Sequence, residues 1–182
     1  NNEFDKFEPL FKNQRNIKIV QRSIYSSTNE VMGTSYSSRI NDPKYRFAGK
    51  TGTAQVKRIT EEERELELKT SEIPYEQRDH ALYVAFGPYE NPRYAMSIII
   101  EHGGSGSSTA APIAKKLFKL VIDRHKLREE AKELNKSFLA AEGEEQERLK
   151  DQIQINLYKQ VNVGKRMRNY MNKYLTPKRN HL

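Results

Sequence analysis

Four consecutive residues, Lys50-Thr51-Gly52-Thr53, combine the means to hold an anion with the means to hold a backbone. The lysine ammonium is a point charge with three donors. Thr51 and Thr53 set hydroxyls on either side of Gly52, which has no side chain and lets another backbone come close. Such a set suits an extended peptide ending in a carboxylate and laid along a strand edge. Backbone groups would pair with the peptide, while the ammonium and hydroxyls hold its charged end.

Little else in the chain competes for chemistry. There is no cysteine, so disulfides and thiolate chemistry are excluded. The four histidines show no metal-ligand spacing, and neither a metal nor a cofactor is expected. The run His102-Gly103-Gly104-Ser105-Gly106 precedes a helical pattern, where a phosphate could be cradled. No Gly-Lys-Ser/Thr follows it, and no G-x-S-x-G elbow exists to pair with an oxyanion loop. It reads as a flexible strand-to-helix turn beside the site.

The elements that must position Lys50 follow from the pattern around it. Ile17, Val20, Ile24 and Val31 keep helical spacing, with Gly33 as a stop, and predict an amphipathic helix over 15–32. Ser27-Thr28-Asn29 formally matches S-x-N but reads as polar residues on that packed helix. A strand over about 45–58 carries the Lys50 motif. Residues 59–79 are highly charged and predict a solvated connection, which Pro74 closes. Ala81–Phe86 and Tyr94–Ile100 are apolar runs on either side of a turn rich in Gly, Pro and Asn, hence a hairpin. The three strands make an antiparallel set. A helix follows, with Ser108 or Thr109 as its expected N-cap.

Beyond residue 125 the composition changes. Leu127, Ala131, Leu134 and Phe138, then Leu149, Ile153 and Leu157 after Gly143, predict a helical hairpin or an arm. The net charge is +8 over 182 residues, and the stretch 159–182 holds seven Lys or Arg and no acid. Basic and aromatic residues interleaved there can meet anionic lipid or nucleic acid, with a solvated tail as the plainer reading. Mean hydropathy is −0.89, polar for a compact fold. No run approaches the ~18 apolar residues that span a bilayer. The chain opens on Asn1 rather than Met and is expected to be a segment of a longer protein.

Several stretches in order carry a family resemblance: Ile19–Tyr25 with Asn29-Glu30 and Gly33-Thr34, Ala48–Val56, Arg78–His80, Ala85–Pro92 and Ile100–Gly106. Together they resemble the C-terminal part of the transpeptidase domain of class B penicillin-binding proteins, closest to the penicillin-binding protein 2 type of the cell-elongation machinery. The resemblance covers residues 16–125. It implies an α+β fold, part of a β-lactamase/transpeptidase-like architecture of antiparallel strands flanked by helices. Residues 1–125 would form this incomplete domain, and 126–182 a helical, basic extension.

The resemblance also implies a function, peptidoglycan D,D-transpeptidation by a serine that β-lactams acylate. Lys50 would supply positive field near the nucleophile and the substrate carboxylate. Thr51 and Thr53 would bind that carboxylate, Gly52 would admit the substrate backbone, and the Thr53 N–H would be half of the oxyanion hole. Partners so implied are stem peptides ending in D-Ala-D-Ala, β-lactams, the upstream part of the same domain and membrane proteins of the elongation machinery, at the periplasmic face of the bacterial inner membrane. Nucleic acid is not among them. One departure matters: no serine here has a lysine three places on, so the Ser-x-x-Lys nucleophile segment is absent and this chain alone is not expected to be active. A non-catalytic remnant or partner-binding module with a basic tail is the alternative.

Overall fold

The computed structural model describes residues 11–58, 60, 61, 65 and 68–175, of which Tyr174 and Leu175 are described in backbone only. The chain divides into two compact units at Lys115/Lys116. This point lies inside a helix that runs unbroken across residue 125.

The first unit begins with α1 (Gln14–Asn29), whose N-cap Asn13 accepts the Arg15 N–H through its side chain at 3.0 Å. The helix stops earlier than its apolar spacing predicts. After Glu30 the chain doubles back, and Ser35 N–H and Ser35 Oγ both donate to Ser27 O, at 3.0 Å each. Gly33 makes this possible, because a Cβ there would lie 2.4 Å from Ser27 O. Val31 therefore sits outside the helix and is exposed, and Val20 is 55% exposed; Thr28 is the one fully buried residue of α1. The helix is held by a polar residue at its C-terminal end rather than by an apolar stripe.

Strands β1 (Ala48–Ala54), β2 (His80–Gly87) and β3 (Tyr94–Ile100) form an antiparallel sheet in the order β1-β2-β3, as the hairpin reading requires. Lys50 pairs with Val84 and Gly52 with Leu82; Val84 in turn pairs with Ser97. β1 is shorter than expected because the Val56 N–H turns to the Asp79 carboxylate, at 3.2 Å. One sheet face is closed, with Ala81, Tyr83, Ala85 and Ile98 buried. The opposite face leaves Val84 and Ile99 exposed. The solvated-connection reading of residues 59–79 falls partly on 59, 62–64, 66 and 67, which lie outside the described residues.

After β3 a single π-helical turn (Gly106–Ala110) leads into α2 (Ala111–Ala140). The expected hydroxyl N-cap does not form: Thr109 Oγ1 donates instead to Gly103 O at 2.8 Å, and the turn has no side-chain cap. The glycine-rich run is also no slack connection. A Cβ on Gly106 would lie 2.5 Å from Leu82 O and 2.6 Å from Gly52 O, so this backbone rests directly on the β1–β2 ladder.

The second unit is a helical hairpin. Residues 116–140 of α2 turn at Gly143, with φ +60°, into α3 (Glu144–Leu175). Leu149, Ile153, Asn156, Gln160, Val163 and Met167 face inward at alternating steps of four and three, a coiled-coil seam. Gln160 Nε2 reaches Leu127 O and Asn156 Oδ1 across and along it. Asn156 thus holds the seam position expected of Leu157, which is 54% exposed. The terminal stretch from 159 is helical as far as Leu175, not a solvated tail; residues 176–182 lie outside the described residues.

Candidate functional site

β1 is the edge of its sheet, and its outer rim is organised by one side chain. Gly49 N–H donates to Thr28 Oγ1 at 2.9 Å, and the Thr28 hydroxyl donates to Gly49 O at 2.9 Å. Both backbone groups of Gly49 therefore point away from β2. In an antiparallel ladder the direction alternates by residue. Lys50 and Gly52 then turn their backbone groups toward β2, and Thr51 and Thr53 turn theirs outward. Thr28 fills the first outward slot and stands in for a strand. Among the described residues no strand lies across from the next two, Thr51 and Thr53.

Thr28 is set there by a buried hydroxyl cluster. Its Oγ1 lies 2.9 Å from the Tyr83 hydroxyl and 3.2 Å from Ser35 Oγ, and Ser35 Oγ lies 3.1 Å from Tyr83. The Tyr83 ring runs beneath Gly49, where a Cβ would meet it at 2.4 Å, and its hydroxyl emerges at the rim. Burial pushes the Tyr83 phenol above its ordinary 10.0, against the opposing pull of hydrogen bonds from Ser35 and Thr28. Asn29 Nδ2 adds a bond to Phe47 O at 2.9 Å, just before β1. The Ser27-Thr28-Asn29 run does pack on α1, as read from the sequence, but its work is to fasten α1 to the motif strand.

A second, exposed line of hydroxyls leads to the lysine. Ser27 Oγ, Thr34 Oγ1 and Thr51 Oγ1 are spaced 3.2 Å apart in turn. Lys50 Nζ donates to Thr51 O at 2.9 Å and to Thr51 Oγ1 at 3.2 Å. Lys50 is exposed and lines a groove of about 420 Å³ along α1 with Ile24, Ser27, Glu30 and Thr34. Its ammonium thus lies at the rim, on Thr51.

The remaining motif residues are placed as follows. Thr53 is exposed and Thr51 half-buried. A Cβ on Gly52 would meet nothing within 4 Å except the Leu82 Cβ at 3.3 Å, so the space above Gly52 is open. Beyond the strand, His80 Nδ1 accepts the His102 N–H at 2.9 Å, and His102, at φ 53°, places its Nδ1 3.1 Å from Arg78 O. Both imidazoles brace the ends of β2 and β3. Among the described residues no group of three or more His, Cys, Asp or Glu is placed to hold a metal ion.

Sequence reasoning singled out the tetrapeptide but missed Thr28, Thr34, Ser35 and Tyr83. The hydroxyl-rich runs 26–28 and 34–35 were the available signal. Nothing in them says that residues 21 and 55 positions apart will meet.

Comparisons with known proteins agree on one part of the chain. Residues 11–119 match the family described as penicillin binding protein transpeptidase domain. The peptidoglycan D,D-transpeptidase MrdA of Haemophilus influenzae is 38% identical over 104 residues, which cover 57% of this chain and 15% of that protein. MrdA of Acinetobacter baumannii is 47% identical over 79 residues, 43% of this chain and 11% of that one. Among solved structures, the complex between penicillin-binding protein PBP2 and MreC from Helicobacter pylori aligns with a TM-score of 0.47 at 32% identity, over 64% of this chain and 21% of that one. The chain spans about 15% of the length of the first of these relatives.

Proposed function

Because this chain belongs to the penicillin binding protein transpeptidase domain family, we propose that it forms the substrate-gripping wall of a peptidoglycan D,D-transpeptidase. The observation that carries this reading is the pair of outward positions at Thr51 and Thr53, which no described strand pairs, next to the Lys50 ammonium. A stem peptide ending in D-Ala-D-Ala would lie antiparallel along that rim. Its terminal carboxylate would take over the Lys50 ammonium from the Thr51 carbonyl and accept from the Thr51 and Thr53 hydroxyls. The open space above Gly52 would admit the peptide backbone.

The chemistry needs a serine and its lysine base, and these 182 residues contain no Ser-x-x-Lys. A longer polypeptide would bring that pair to the rim. The serine would attack the penultimate D-Ala carbonyl, and the oxyanion would sit between the serine's own N–H and the outward N–H of Thr53. One such donor is typically worth about 3–4 kcal/mol of transition-state stabilisation. Terminal D-Ala would leave, and an amine from a neighbouring stem would resolve the acyl-enzyme. β-Lactams would acylate the same serine. Membrane proteins of the elongation machinery would be the polypeptide's partners, and the periplasmic face of the inner membrane its place, as the family resemblance of its ordered motifs implies.

The test is labelling of the full-length polypeptide with a fluorescent penicillin. The wild type is expected to take the label covalently, and Lys50→Ala to lose roughly 100-fold or more in labelling rate with an unchanged melting temperature. A full-length protein that takes no label, or a Lys50→Ala variant that labels normally, would end this reading.

A further inference from the structure

The seam of the hairpin leaves the outer face of α3 without a use. Ile155, Leu157, Tyr158 and Val161 stand on it, 54%, 54%, 69% and 53% exposed within two turns. From Gln152 to Leu175 the helix carries no acid, and Lys165 and Arg168 continue the same face one turn on. Along its flank a groove of about 370 Å³ between α2 and α3 is lined by Lys126, Lys159, Asn162 and Arg166, with Asp123 the one carboxylate among its lining residues. Ile155 lies one turn before Lys159 and borders the groove, while Leu157, Tyr158 and Val161 continue round the outer face to Lys165 and Arg168.

We propose that this face of α3 lies on an anionic lipid bilayer, with the apolar residues at the acyl boundary and a phosphate headgroup in the Lys159–Arg166 groove. The charge selects an anionic occupant: 32 Lys and Arg against 24 Asp and Glu overall, and no acid on this segment. The apolar residues then choose among anions. A nucleic-acid duplex offers phosphates but no apolar bed, so Ile155, Leu157 and Val161 would stay in water. A second copy of the chain would set the same acid-free segment against itself. A bilayer surface satisfies both halves, as it does for amphipathic helices that lie in the interface plane. The proposal is independent of the strand-rim reading, since the second unit holds none of its residues.

The test is co-sedimentation of the whole 182-residue chain with vesicles. Mixed phosphatidylcholine–phosphatidylglycerol vesicles are expected to bind it and pure phosphatidylcholine vesicles to leave it in solution, with binding weakened by salt. Lys159→Gln with Arg166→Gln should weaken binding roughly 30-fold, from about fivefold per cation near an anionic surface. Ile155→Gln with Val161→Gln, both exposed, should weaken it roughly tenfold while the far-ultraviolet circular dichroism is unchanged. Equal binding to the two vesicle types would overturn the proposal. So would tighter binding to a DNA duplex that is indifferent to the Ile155 and Val161 substitutions, which would assign the face to nucleic acid instead.

Discussion

Replacing Thr28 by valine keeps the shape of the side chain and deletes one oxygen. Thr28 is fully buried, so water cannot take the place of that oxygen. The Gly49 N–H and C=O, each 2.9 Å from it, both lose their partner. The Tyr83 hydroxyl keeps Ser35 at 3.1 Å. An orphaned buried donor costs about 1–3 kcal/mol, and a carbonyl with a second lone pair costs less. The added methyl group returns under about 1 kcal/mol. The expected net loss is about 2–3 kcal/mol of first-unit stability. Thr28→Ser keeps the oxygen and removes only a methyl group, a loss of about 1 kcal/mol. The difference between the two variants therefore isolates the hydroxyl. Native-state amide exchange reads it locally: the inward amides of β2 report the opening of the sheet, and the Gly49 amide reports its own bond. If Thr28→Val protects the β2 amides within about 0.5 kcal/mol of wild type, or if serine is as damaging as valine, then the claim that this oxygen closes the strand rim is wrong.

Gly106→Ala should destabilise the same unit by roughly 3 kcal/mol, because its Cβ would meet Leu82 O at 2.5 Å and Gly52 O at 2.6 Å, and neither is a flexible side chain; a thermal melt within two degrees or so of wild type would refute the packing argument. Stability should also fall in alkali. The folded Tyr83 phenol holds its proton above the ordinary 10.0, so the stabilisation from its neutral form is complete below that pH and is lost as pH rises through the higher folded value. Urea titrations from pH 8 upward should show this decline, and Tyr83→Phe should flatten it; an unchanged slope in the phenylalanine variant would place the titration elsewhere.

The ordered motifs in the chain were enough to name the family and to find three strands with Lys50 on the first of them, since each of those signals is local. Strand alternation, turn residues and the Lys-Thr-Gly-Thr run are read within about ten neighbours along the chain. Helix ends were read less well. Val31 keeps the spacing of α1, yet the helix stops before it because Ser27 O is taken by Ser35, a bond that competes with continuing the turn. In the second unit the spacing was right in kind but assigned Leu157 to a seam that Asn156 holds, since two candidate faces one residue apart differ only in what the facing helix presents.

What the linear chain decided is the set of groups available: an ammonium, two hydroxyls and a bare α-carbon in one strand, with an acid-free stretch from Gln152 onward far downstream. What only the folded chain decided is which of those groups face outward. That depends on a threonine 21 residues before Gly49 taking the first rim position, on a tyrosine passing under the strand to hold it there, and on a glycine turn resting against the backbone of Gly52 and Leu82. A ladder's direction alternates with every residue, so the pairing of β1 with β2 and the Thr28 bond to Gly49 set one phase for the whole strand, and both are contacts between residues far apart in the chain.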